Sequence, residues 1–377
     1  MTANIPFNRA SMAGPELEYI RQAVESGHIS GDGPFTKRCH RLLEETADVK
    51  KALLTTSCTH ALEMAALLLD FGAGDEVIVP SFTFVSTPNA FVLRGAKPVF
   101  VDIRSDTLNL DERALEAKIG PRTKAICLVH YAGIACEMNA IMELANAHRI
   151  PVVEDNAHGL FGRYRGRPLG SFGAMATLSF HETKNLSCGE GGALLIQDQR
   201  LTARAEIIRE KGTNRSRFFR GEVDKYGWVD VGSSYLPSDV LAAFLFAQLE
   251  ARAQIQVRRQ AIWEGYATRL GPWAAKHGIG LPTVPSHVDQ AFHLFYLLLP
   301  SLDRRTAFIA HMKAHGIGAP FHYLPLHLSP MGERFGGRAG DCPVTEEVSD
   351  RLVRLPLFTS LSDSELDRVV DVVTQFS

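Results

Sequence analysis

Short apolar runs alternate with longer segments of helical period over the first half of the chain. Alternating strands and helices predict the α/β class, with a mostly parallel seven-stranded sheet covered by helices on both faces. The predicted strands are Ala52–Thr55, Glu76–Pro80, Pro98–Ile103, Ala125–His130, Pro151–Glu154, Ala176–Phe180 and Ala193–Ile196. The predicted helices between them are Ala61–Phe71, Thr87–Leu93, Glu112–Ile119 and Glu137–His148.

The pattern changes after Ser238, where a long helical connector is predicted as far as about Leu270. Beyond it the sequence predicts one buried strand, Phe292–Pro300, followed by helices over residues 304–316 and 365–376. We therefore expect a large domain over residues 1–250 and a smaller C-terminal α+β domain over residues 251–377.

Composition narrows the class of protein. The 377 residues are 45% hydrophobic and 22% charged, with a formal net charge of -2, as in ordinary globular proteins. This balance gives no reason to expect a nucleic acid or a membrane as partner. No apolar run reaches the length of a membrane span, and the N-terminal segment lacks the pattern of a signal peptide. Six scattered cysteines without a C-x-x-C pair favour a cytoplasmic protein.

The segment "TTSCTHALEMAALLL" joins the first predicted strand to a helix that begins near Ser57 or Cys58. A helix start offers free N–H groups and the positive end of the helix dipole, so Ser57, Cys58 and Thr59 are candidates for binding a phosphate. On this motif alone, an ordinary capped helix is the commoner interpretation.

A second polar cluster, "PVVEDNAHG", follows another predicted strand and contains Asp155 and His158. A carboxylate at the end of a buried strand requires a cationic or N–H partner, and a protonated pyridine nitrogen is one such partner. For Asp155 alone, a helix N-cap is about as good an interpretation.

Lys184 lies in the turn "SFHETKNLSCGEGG" between two predicted strands. A desolvated lysine has a lowered pKa and can form a Schiff base with an aldehyde, whereas a single lysine in a turn is usually exposed to solvent. Together, however, an amine, an acid and a phosphate site match the requirements of pyridoxal 5'-phosphate. The sequence therefore predicts this cofactor at one edge of the sheet.

The order of these motifs resembles the DegT-type sugar-nucleotide aminotransferases, a branch of the fold-type I pyridoxal phosphate enzymes. The similarity runs from "HISGDGPFTKRCHRLLEE" through "GDEVIVPSFTFVSTPNAF", "VEDNAHGL" and "SFHETKNLSCGEGGALL" to "GSSYLPSD" and "FHYLPLH". It covers nearly the whole chain. Within the family, "HETKN", "EIIREKGTNRSRFFRGEVDKY" and "FHYLPLH" look most like transaminases that make dTDP-4-amino-4,6-dideoxygalactose for enterobacterial common antigen, a lipopolysaccharide-type pathway.

By position, the resemblance implies that Lys184 is the Schiff-base lysine and that Asp155 pairs with the ring nitrogen of the cofactor. Phe84 matches an aromatic residue that stacks on the ring. His158 stands where the family often has glutamine, near the phenolic oxygen. The implied phosphate-binding residues are Ser57, Cys58, Thr59, Ser179 and Ser234, the last matching an asparagine that reaches the phosphate of the other subunit.

For the substrate side, the resemblance implies contacts from Tyr323 and His327. The basic segment over residues 209–228, which contains Lys211 and Arg215, would hold a sugar nucleotide's diphosphate or the carboxylate of glutamate. A solvated or interface loop is an equally good interpretation of that segment. The resemblance also implies a homodimer with active sites built from both chains.

No metal site is expected. His311 and His315 are four positions apart on a predicted helix without a third ligand, so a surface helix is the better interpretation. His322 and His327 would point to opposite faces if they lay on a strand.

The leading hypothesis is therefore transfer of the amino group of L-glutamate to dTDP-4-dehydro-6-deoxy-D-glucose, giving dTDP-4-amino-4,6-dideoxy-D-galactose and 2-oxoglutarate. Alternatives are another keto-sugar nucleotide, with a gluco product or reaction at another position, and a regulatory protein that binds the cofactor without turnover. Family members that dehydrate sugars have histidine in place of the lysine, so Lys184 argues against dehydration.

Overall fold

The computed structural model describes residues 4–376 of the chain. Its strands are β1 (Lys51–Thr55), β2 (Glu76–Pro80), β3 (Lys97–Val101), β4 (Thr123–Val129), β5 (Val152–Asp155), β6 (Arg163–Tyr164), β7 (Arg167–Pro168), β8 (Met175–Ser179), β9 (Gly192–Ile196), β10 (Val288–Asp289), β11 (Phe295–Leu298) and β12 (Leu352–Leu355). Its α-helices are α1 (Glu16–Glu25), α2 (Pro34–Ala47), α3 (Cys58–Leu68), α4 (Ser86–Val92), α5 (Met138–His148), α6 (Thr202–Arg209), α7 (Arg215–Phe219), α8 (Asp239–Glu250), α9 (Arg252–His277), α10 (Leu302–Ala314), α11 (Pro330–Arg334), α12 (Pro343–Arg351) and α13 (Asp363–Gln375).

Seven strands form the central sheet in the order β1-β9-β8-β5-β4-β2-β3. β9 runs antiparallel to its neighbours β1 and β8, and the pairs β2–β3, β2–β4, β4–β5 and β5–β8 are parallel. The predicted mostly parallel seven-stranded sheet is therefore confirmed, and each predicted strand overlaps one of the seven.

Both faces of this sheet are buried, because successive side chains of a strand point to opposite sides. On β2, Val77 and Val79 pack into a core with α3 and α4, whereas Ile78 packs into the core that contains α5. Towards the β1 end of the sheet, α2 and α8 complete the covering of that second face. The continuous apolar runs of the sequence are explained by this two-sided burial.

Two predicted helices differ from the structure. The segment Glu112–Ile119 forms two short 3-10 turns, Glu112–Ala114 and Glu116–Lys118, rather than an amphipathic helix. Of its apolar side chains Leu115 is fully buried, so too little burial supports the costly nucleation of a longer helix. The predicted connector is two helices, α8 and α9, which meet at Ala251; α8 packs on α1 and α2, whereas α9 continues into a different core.

That separate core combines side chains of α9, β11, α10, β12 and α13 with Ile5. β11 and β12 pair antiparallel in a two-stranded sheet of their own. The predicted boundary between residues 250 and 251 coincides with the junction of α8 and α9, and the division into two domains stays a prediction. Among residues 4–376, no helix is both long and apolar enough to cross a membrane.

Candidate active site

A cavity of about 810 Å³ opens at the carboxyl edge of the central sheet. Its walls come from the segments that follow β1, β2, β5 and β8, and from the region around β12 in the second core. Parallel sheets bind ligands at this edge, because the loops that follow neighbouring strands converge there. The polar clusters singled out in the sequence that follow β1, β5 and β8 meet in this cavity.

The N-terminus of α3 forms one wall. Ser57 is the N-cap, and its Oγ accepts a hydrogen bond of 3.1 Å from the backbone N–H of His60. The N–H groups of the first helical turn, including those of Cys58 and Thr59, have no partner within the helix. The Thr59 hydroxyl is 2.8 Å from that of Ser86, so two further hydroxyl groups stand at the same end of the cavity.

Gly192, the first residue of β9, lies directly against this helix start. A Cβ added at Gly192 would be 2.3 Å from the carbonyl carbon of Ser57 and 2.4 Å from the nitrogen of Cys58. Real side chains never approach so closely, so only glycine permits this contact between β9 and the start of α3. The close approach fixes the helix N-terminus beside the turn that carries Lys184.

Asp155 ends β5 and is buried at the base of the cavity. Its Oδ2 accepts a hydrogen bond of 2.7 Å from the Thr87 hydroxyl, and its Oδ1 accepts one of 3.2 Å from the backbone N–H of Ala157. Burial raises the pKa of the Asp155 carboxyl even though the Thr87 hydrogen bond acts in the opposite direction. A cationic partner in the cavity would therefore stabilise its ionised form.

Glu154, one residue earlier, faces away from the cavity and has a full set of donors. It accepts hydrogen bonds from the backbone N–H groups of Gly170, Phe172 and Gly173, at 2.7 to 2.8 Å, and lies 2.9 Å from Nε2 of His130. We infer a structural role for this carboxylate, because it fastens the loop before β8 to β5.

Lys184 lies in the turn after β8, and its side chain lines the cavity. Burial lowers the pKa of the amine, and the charge of Arg354 acts in the same direction, whereas Cys58 and Asp155 oppose it. Within residues 4–376, the structure gives Nζ no hydrogen bond and no ion pair. An amine with a lowered pKa and no partner is available to react.

His158 is part of a stack of rings on the same wall. Its imidazole lies on that of His293, with ring centroids 4.1 Å apart and an angle of 22° between the planes. Nε2 of His158 is 3.5 Å from the Tyr323 hydroxyl, and its Nδ1 is buried without a partner among the described residues. Burial lowers the pKa of both imidazoles well below the ordinary value, so both are neutral at pH 7.

The segment that carries His293 is held from two sides. Nδ1 of His293 is 2.8 Å from the side-chain oxygen of Asn185, the neighbour of Lys184. From α9, the buried Arg259 donates hydrogen bonds to the carbonyl oxygens of Phe292 and His293, at 3.0 and 2.5 Å. The helix that enters the second core is thus linked to the loop that carries the candidate catalytic lysine.

Aromatic side chains surround the mouth of the cavity. Phe84 is 55% exposed, and its ring centroid lies 6.4 Å from that of Tyr323. Tyr323 stacks on His322, which is 2.7 Å from the Tyr131 hydroxyl through Nδ1. Ser179, at the end of β8, also lines the cavity.

Four predicted site residues lie outside this cavity of the single chain. Lys211 and Arg215 are exposed, and their nitrogens lie 3.1 and 3.5 Å from Glu210. Ser234 is exposed and forms a backbone bridge with Glu210. His327 is fully buried behind the wall: Nδ1 is 2.6 Å from the Ser81 hydroxyl and Nε2 is 2.9 Å from Glu346, so both nitrogens already have partners.

Among the residues of the site that were missed from the sequence are Thr87, His293 and Arg354. Thr87 is a buried residue of the short α4 whose hydroxyl donates to Asp155, and in the sequence it looks like any other helical residue. His293 precedes a buried strand, and Arg354 is one polar residue in an apolar strand. Arg354 interrupts the short apolar run "LVRLPLF", and a charged residue in such a run is a signal that could have drawn attention to it.

These residues fit pyridoxal 5'-phosphate. The unpartnered N–H groups of α3 suit its phosphate, the buried Asp155 suits its ring nitrogen, and the unpartnered Nδ1 of His158 leaves one polar atom for its phenolic oxygen. The free Lys184 amine suits its aldehyde. A search of residues 4–376 finds no group of three or more His, Cys, Asp or Glu side chains arranged for a metal ion.

Comparisons with known proteins agree with this assignment. The sequence profile of the DegT/DnrJ/EryC1/StrS aminotransferase family matches residues 11–374. An uncharacterized protein of Methanocaldococcus jannaschii, MJ1066, is 34% identical over 98% of this chain and 96% of its own length.

Solved structures agree in fold. The aminotransferase TlmJ of Streptoalloteichus hindustanus is 30% identical, with a TM-score of 0.91 over 99% of this chain and 98% of its own. The PLP-form of a putative sugar aminotransferase of Streptococcus pneumoniae, Spr1654, is 28% identical with the same TM-score and the same coverage.

Proposed function

Since the chain belongs to the DegT/DnrJ/EryC1/StrS aminotransferase family and is a pyridoxal phosphate-dependent aminotransferase of fold type I, we propose its substrates. L-Glutamate donates the amino group, and the 4-ketone of dTDP-4-dehydro-6-deoxy-D-glucose accepts it. The products are 2-oxoglutarate and dTDP-4-amino-4,6-dideoxy-D-galactose. The resemblance of "HETKN" and "FHYLPLH" to transaminases of this specificity supports the choice of sugar.

One observation carries the proposed chemistry: an amine without a partner, at Lys184, faces the same cavity as the buried carboxylate of Asp155 and the N-terminus of α3. We propose that the N–H groups at the start of α3, with Ser57, Thr59 and Ser179, bind the phosphate. Asp155, fixed by Thr87, would keep a positive charge on the ring nitrogen. Phe84 would cover one face of the ring.

When bound, pyridoxal phosphate supplies an electron sink for the electron pair left on the substrate carbon as its proton departs. Lys184 is positioned to take that proton and return it elsewhere, because its lowered pKa leaves a larger fraction of the amine unprotonated. His158 and Tyr323 border the same space, and the aromatic side chains at the mouth would contact the sugar.

We further propose that two copies of the chain form a homodimer with shared active sites. Large apolar side chains are exposed beside the cavity mouth, with Phe84 and Val85 each 55% exposed and Leu324 62% exposed. Trp228, in the basic segment, is 83% exposed. A second copy that covers these residues would bring Ser234, Lys211 and Arg215 towards the partner's cavity, which would reconcile their exposure with the roles that the sequence implies.

The experiment is a pair of half-reactions followed separately. Purified protein is loaded with pyridoxal phosphate, and its visible absorbance is recorded before and after addition of L-glutamate; we expect the visible band to bleach as 2-oxoglutarate appears. The amino form is then mixed with dTDP-4-dehydro-6-deoxy-D-glucose, and the product is identified by mass spectrometry and by proton couplings at C4.

Each outcome decides a different part of the proposal. Bleaching with glutamate but no consumption of the sugar contradicts the acceptor, and a gluco coupling pattern contradicts the stereochemistry. A loaded protein that is unchanged by glutamate contradicts the donor. Sedimentation at the mass of one chain would contradict the dimer.

A further inference from the structure

Arg354 and Lys184 are the two cationic side chains, apart from histidines, that line the cavity in the described part of the chain. Arg354 lies on β12. One guanidinium nitrogen, Nη2, donates a hydrogen bond of 2.8 Å to the carbonyl oxygen of Phe321, whereas the buried Nε has no partner. The plane of the group is covered by the Phe7 ring, whose centroid is 4.4 Å from Cζ.

No carboxylate among residues 4–376 forms an ion pair with this guanidinium. Burial lowers the pKa of Arg354, and the opposing contributions come from two phenols, Tyr131 and Tyr323. Arg354 is half-buried, and its Nε is withdrawn from water without a hydrogen-bond partner. Desolvating part of a cation without an anion is costly in free energy, so its retention at a cavity wall requires a reason.

Arg259 shows what a structural arginine looks like in the same protein. It is 2% exposed and has no acidic partner in the described part of the chain either. Its hydrogen bonds to the carbonyl oxygens of Phe292 and His293 lower the free-energy cost of burying the charge. It does not line the cavity. Arg354 differs in two respects, since it borders the space where the substrate binds and since its Nε remains unused.

We propose that Arg354 binds a carboxylate of the amino donor, and of the 2-oxo acid that the donor becomes. A guanidinium presents two N–H groups in a plane that matches a carboxylate, and here Nε and an adjacent Nη would supply them. The Phe7 ring above and the Phe321 carbonyl beside the guanidinium hold this plane in advance. The inference rests on the proposed function, because it requires an amino acid donor.

The basic segment is a poorer candidate for the same task. Lys211 and Arg215 lie within 3.1 and 3.5 Å of Glu210, and Arg220 is paired with Glu206 and Glu222. Within the described part of a single chain, each of these cations already has an anion, and none lines the cavity. Arg354 is therefore the arginine that the chain itself places in the same cavity as Lys184, whereas Lys211 and Arg215 would reach a cavity only across the proposed dimer.

The test uses the loaded holoenzyme with Arg354→Gln, and with Arg269→Gln as the matched control, since Arg269 is paired with Asp367 on the surface of α9. Two quantities are measured: the glutamate concentration that gives half-maximal bleaching, and the Kd of 2-oxoglutarate by calorimetry. We expect Arg354→Gln to raise both by about 10- to 100-fold, the usual cost of losing charge-assisted hydrogen bonds. The KM of the sugar nucleotide should change less than about 3-fold, and the control should match the wild type.

Arg354→Lys distinguishes the loss of the hydrogen-bond donors from a general loss of folding. It keeps the charge but loses the planar pair of donors, so we expect an intermediate Kd for 2-oxoglutarate. Titration with L-alanine separates the two carboxylates of glutamate: a loss with both donors assigns the α-carboxylate, and a loss with glutamate alone assigns the distal one.

Two results overturn the inference while the proposed function survives. One is a wild-type response to glutamate that Arg354→Gln leaves unchanged in both measurements. The other is a selective rise in the KM of the sugar nucleotide, which would assign Arg354 to the diphosphate. A wild-type protein that does not respond to glutamate at all instead contradicts the proposed function itself.

Discussion

Two neighbouring carboxylates on opposite sides of strand β5 differ in how completely they are hydrogen-bonded. On the side away from the cavity, Glu154 is saturated by three backbone N–H groups and His130. On the cavity side, Asp155 has one hydroxyl and one N–H donor, and burial raises its pKa. A buried polar group with a complete set of partners supports the fold, whereas one with an incomplete set is available to a ligand.

The same contrast separates two groups of basic side chains. In the exposed basic segment, cations such as Arg220 are paired with nearby acids. Arg354, at the cavity, forms no ion pair with an acid of residues 4–376. Counting positive residues along the sequence would favour the segment, but the partners visible in the structure favour the single arginine. If a missing hydrogen-bond or ion-pair partner does mark a functional residue, substitutions at the cavity should reduce activity, and substitutions of fully bonded residues should reduce stability.

Lys184→Ala, which changes a cavity residue without a hydrogen-bond partner, should have the largest effect on the rate of transamination. We expect transamination to fall by more than about 10³-fold, because acid–base catalysis alone contributes roughly 10²–10⁴-fold and the covalent link to the cofactor is also lost. The melting temperature should stay close to that of the wild type, since Nζ has no partner to lose. Rate assays and thermal melts check this, with Lys313→Ala, on the exposed face of α10, as the control. A rate within tenfold of the wild type contradicts the mechanism.

Asp155→Asn should have the next largest effect on the rate. The amide keeps the shape and one acceptor oxygen for Thr87, but the Ala157 N–H loses its acceptor and the charge opposite the ring nitrogen is removed. We expect the rate to fall by about 10²–10³-fold, a typical cost of losing one preorganised electrostatic contact. Single-turnover kinetics with glutamate measure it, and circular dichroism should show an unchanged fold. Unaltered kinetics would mean that Asp155 is only a structural partner of Thr87.

Glu154→Gln tests the carboxylate of β5 that has a complete set of hydrogen-bond donors. An amide offers one acceptor oxygen instead of two, so at least one buried N–H loses its partner, and the free energy of unfolding should fall by about 2–4 kcal/mol. Urea denaturation measures this change. Activity per folded molecule should stay within a few-fold of the wild type. A variant of full stability but low activity would reverse the roles that we assign to Glu154 and Asp155.

A smaller effect is expected from pH. Burial lowers the pKa of the His158, His293 and His322 imidazoles well below their ordinary value of 6.5. Below about pH 6.5 these histidines therefore bind protons in the unfolded chain but stay neutral in the folded chain. The free energy of unfolding should thus fall as the pH drops towards 5.5.

The slope is at most about 1.4 kcal/mol per pH unit for each such histidine. His293→Gln should reduce this slope by one histidine's share, whatever its effect on stability at pH 7.5. His40, buried in the core and also with a lowered pKa, adds to the slope in the same direction and remains in the variant. Urea unfolding at several pH values measures both slopes, and equal slopes would contradict a neutral His293.

Much of the fold could be predicted because its signals are local. The seven strands of the sheet are continuous apolar runs, since both faces are covered, and Ser57 and the glycine-rich turn after Lys184 mark where elements start and end. The two-residue strands β6, β7 and β10 and the four-residue strand β12 were missed, because such short segments leave little or no periodic pattern.

The site could be predicted only in part. Asp155 ends a strand of the sheet, and Ser57 and Lys184 each follow one, so the topology brings them together. His293 precedes β11 and Arg354 lies on β12, the two strands of the second core, and no local pattern shows that these distant strands complete the cavity. For His327 the motif indicates the substrate side, whereas in the single chain Ser81 and Glu346 occupy both of its nitrogens within the wall, so its role stays a prediction.

The antiparallel pairing of β1 with β9 has a consequence for how the chain folds. Thr55 pairs with Gly192, which is 137 positions later (192 minus 55), and this pairing sets the helix start beside the lysine turn. Contacts so far apart in sequence form late, because the intervening chain must be ordered first. During refolding, helical signal should therefore recover before the capacity to bind the cofactor, and the colour of the protein would report the final step of its assembly.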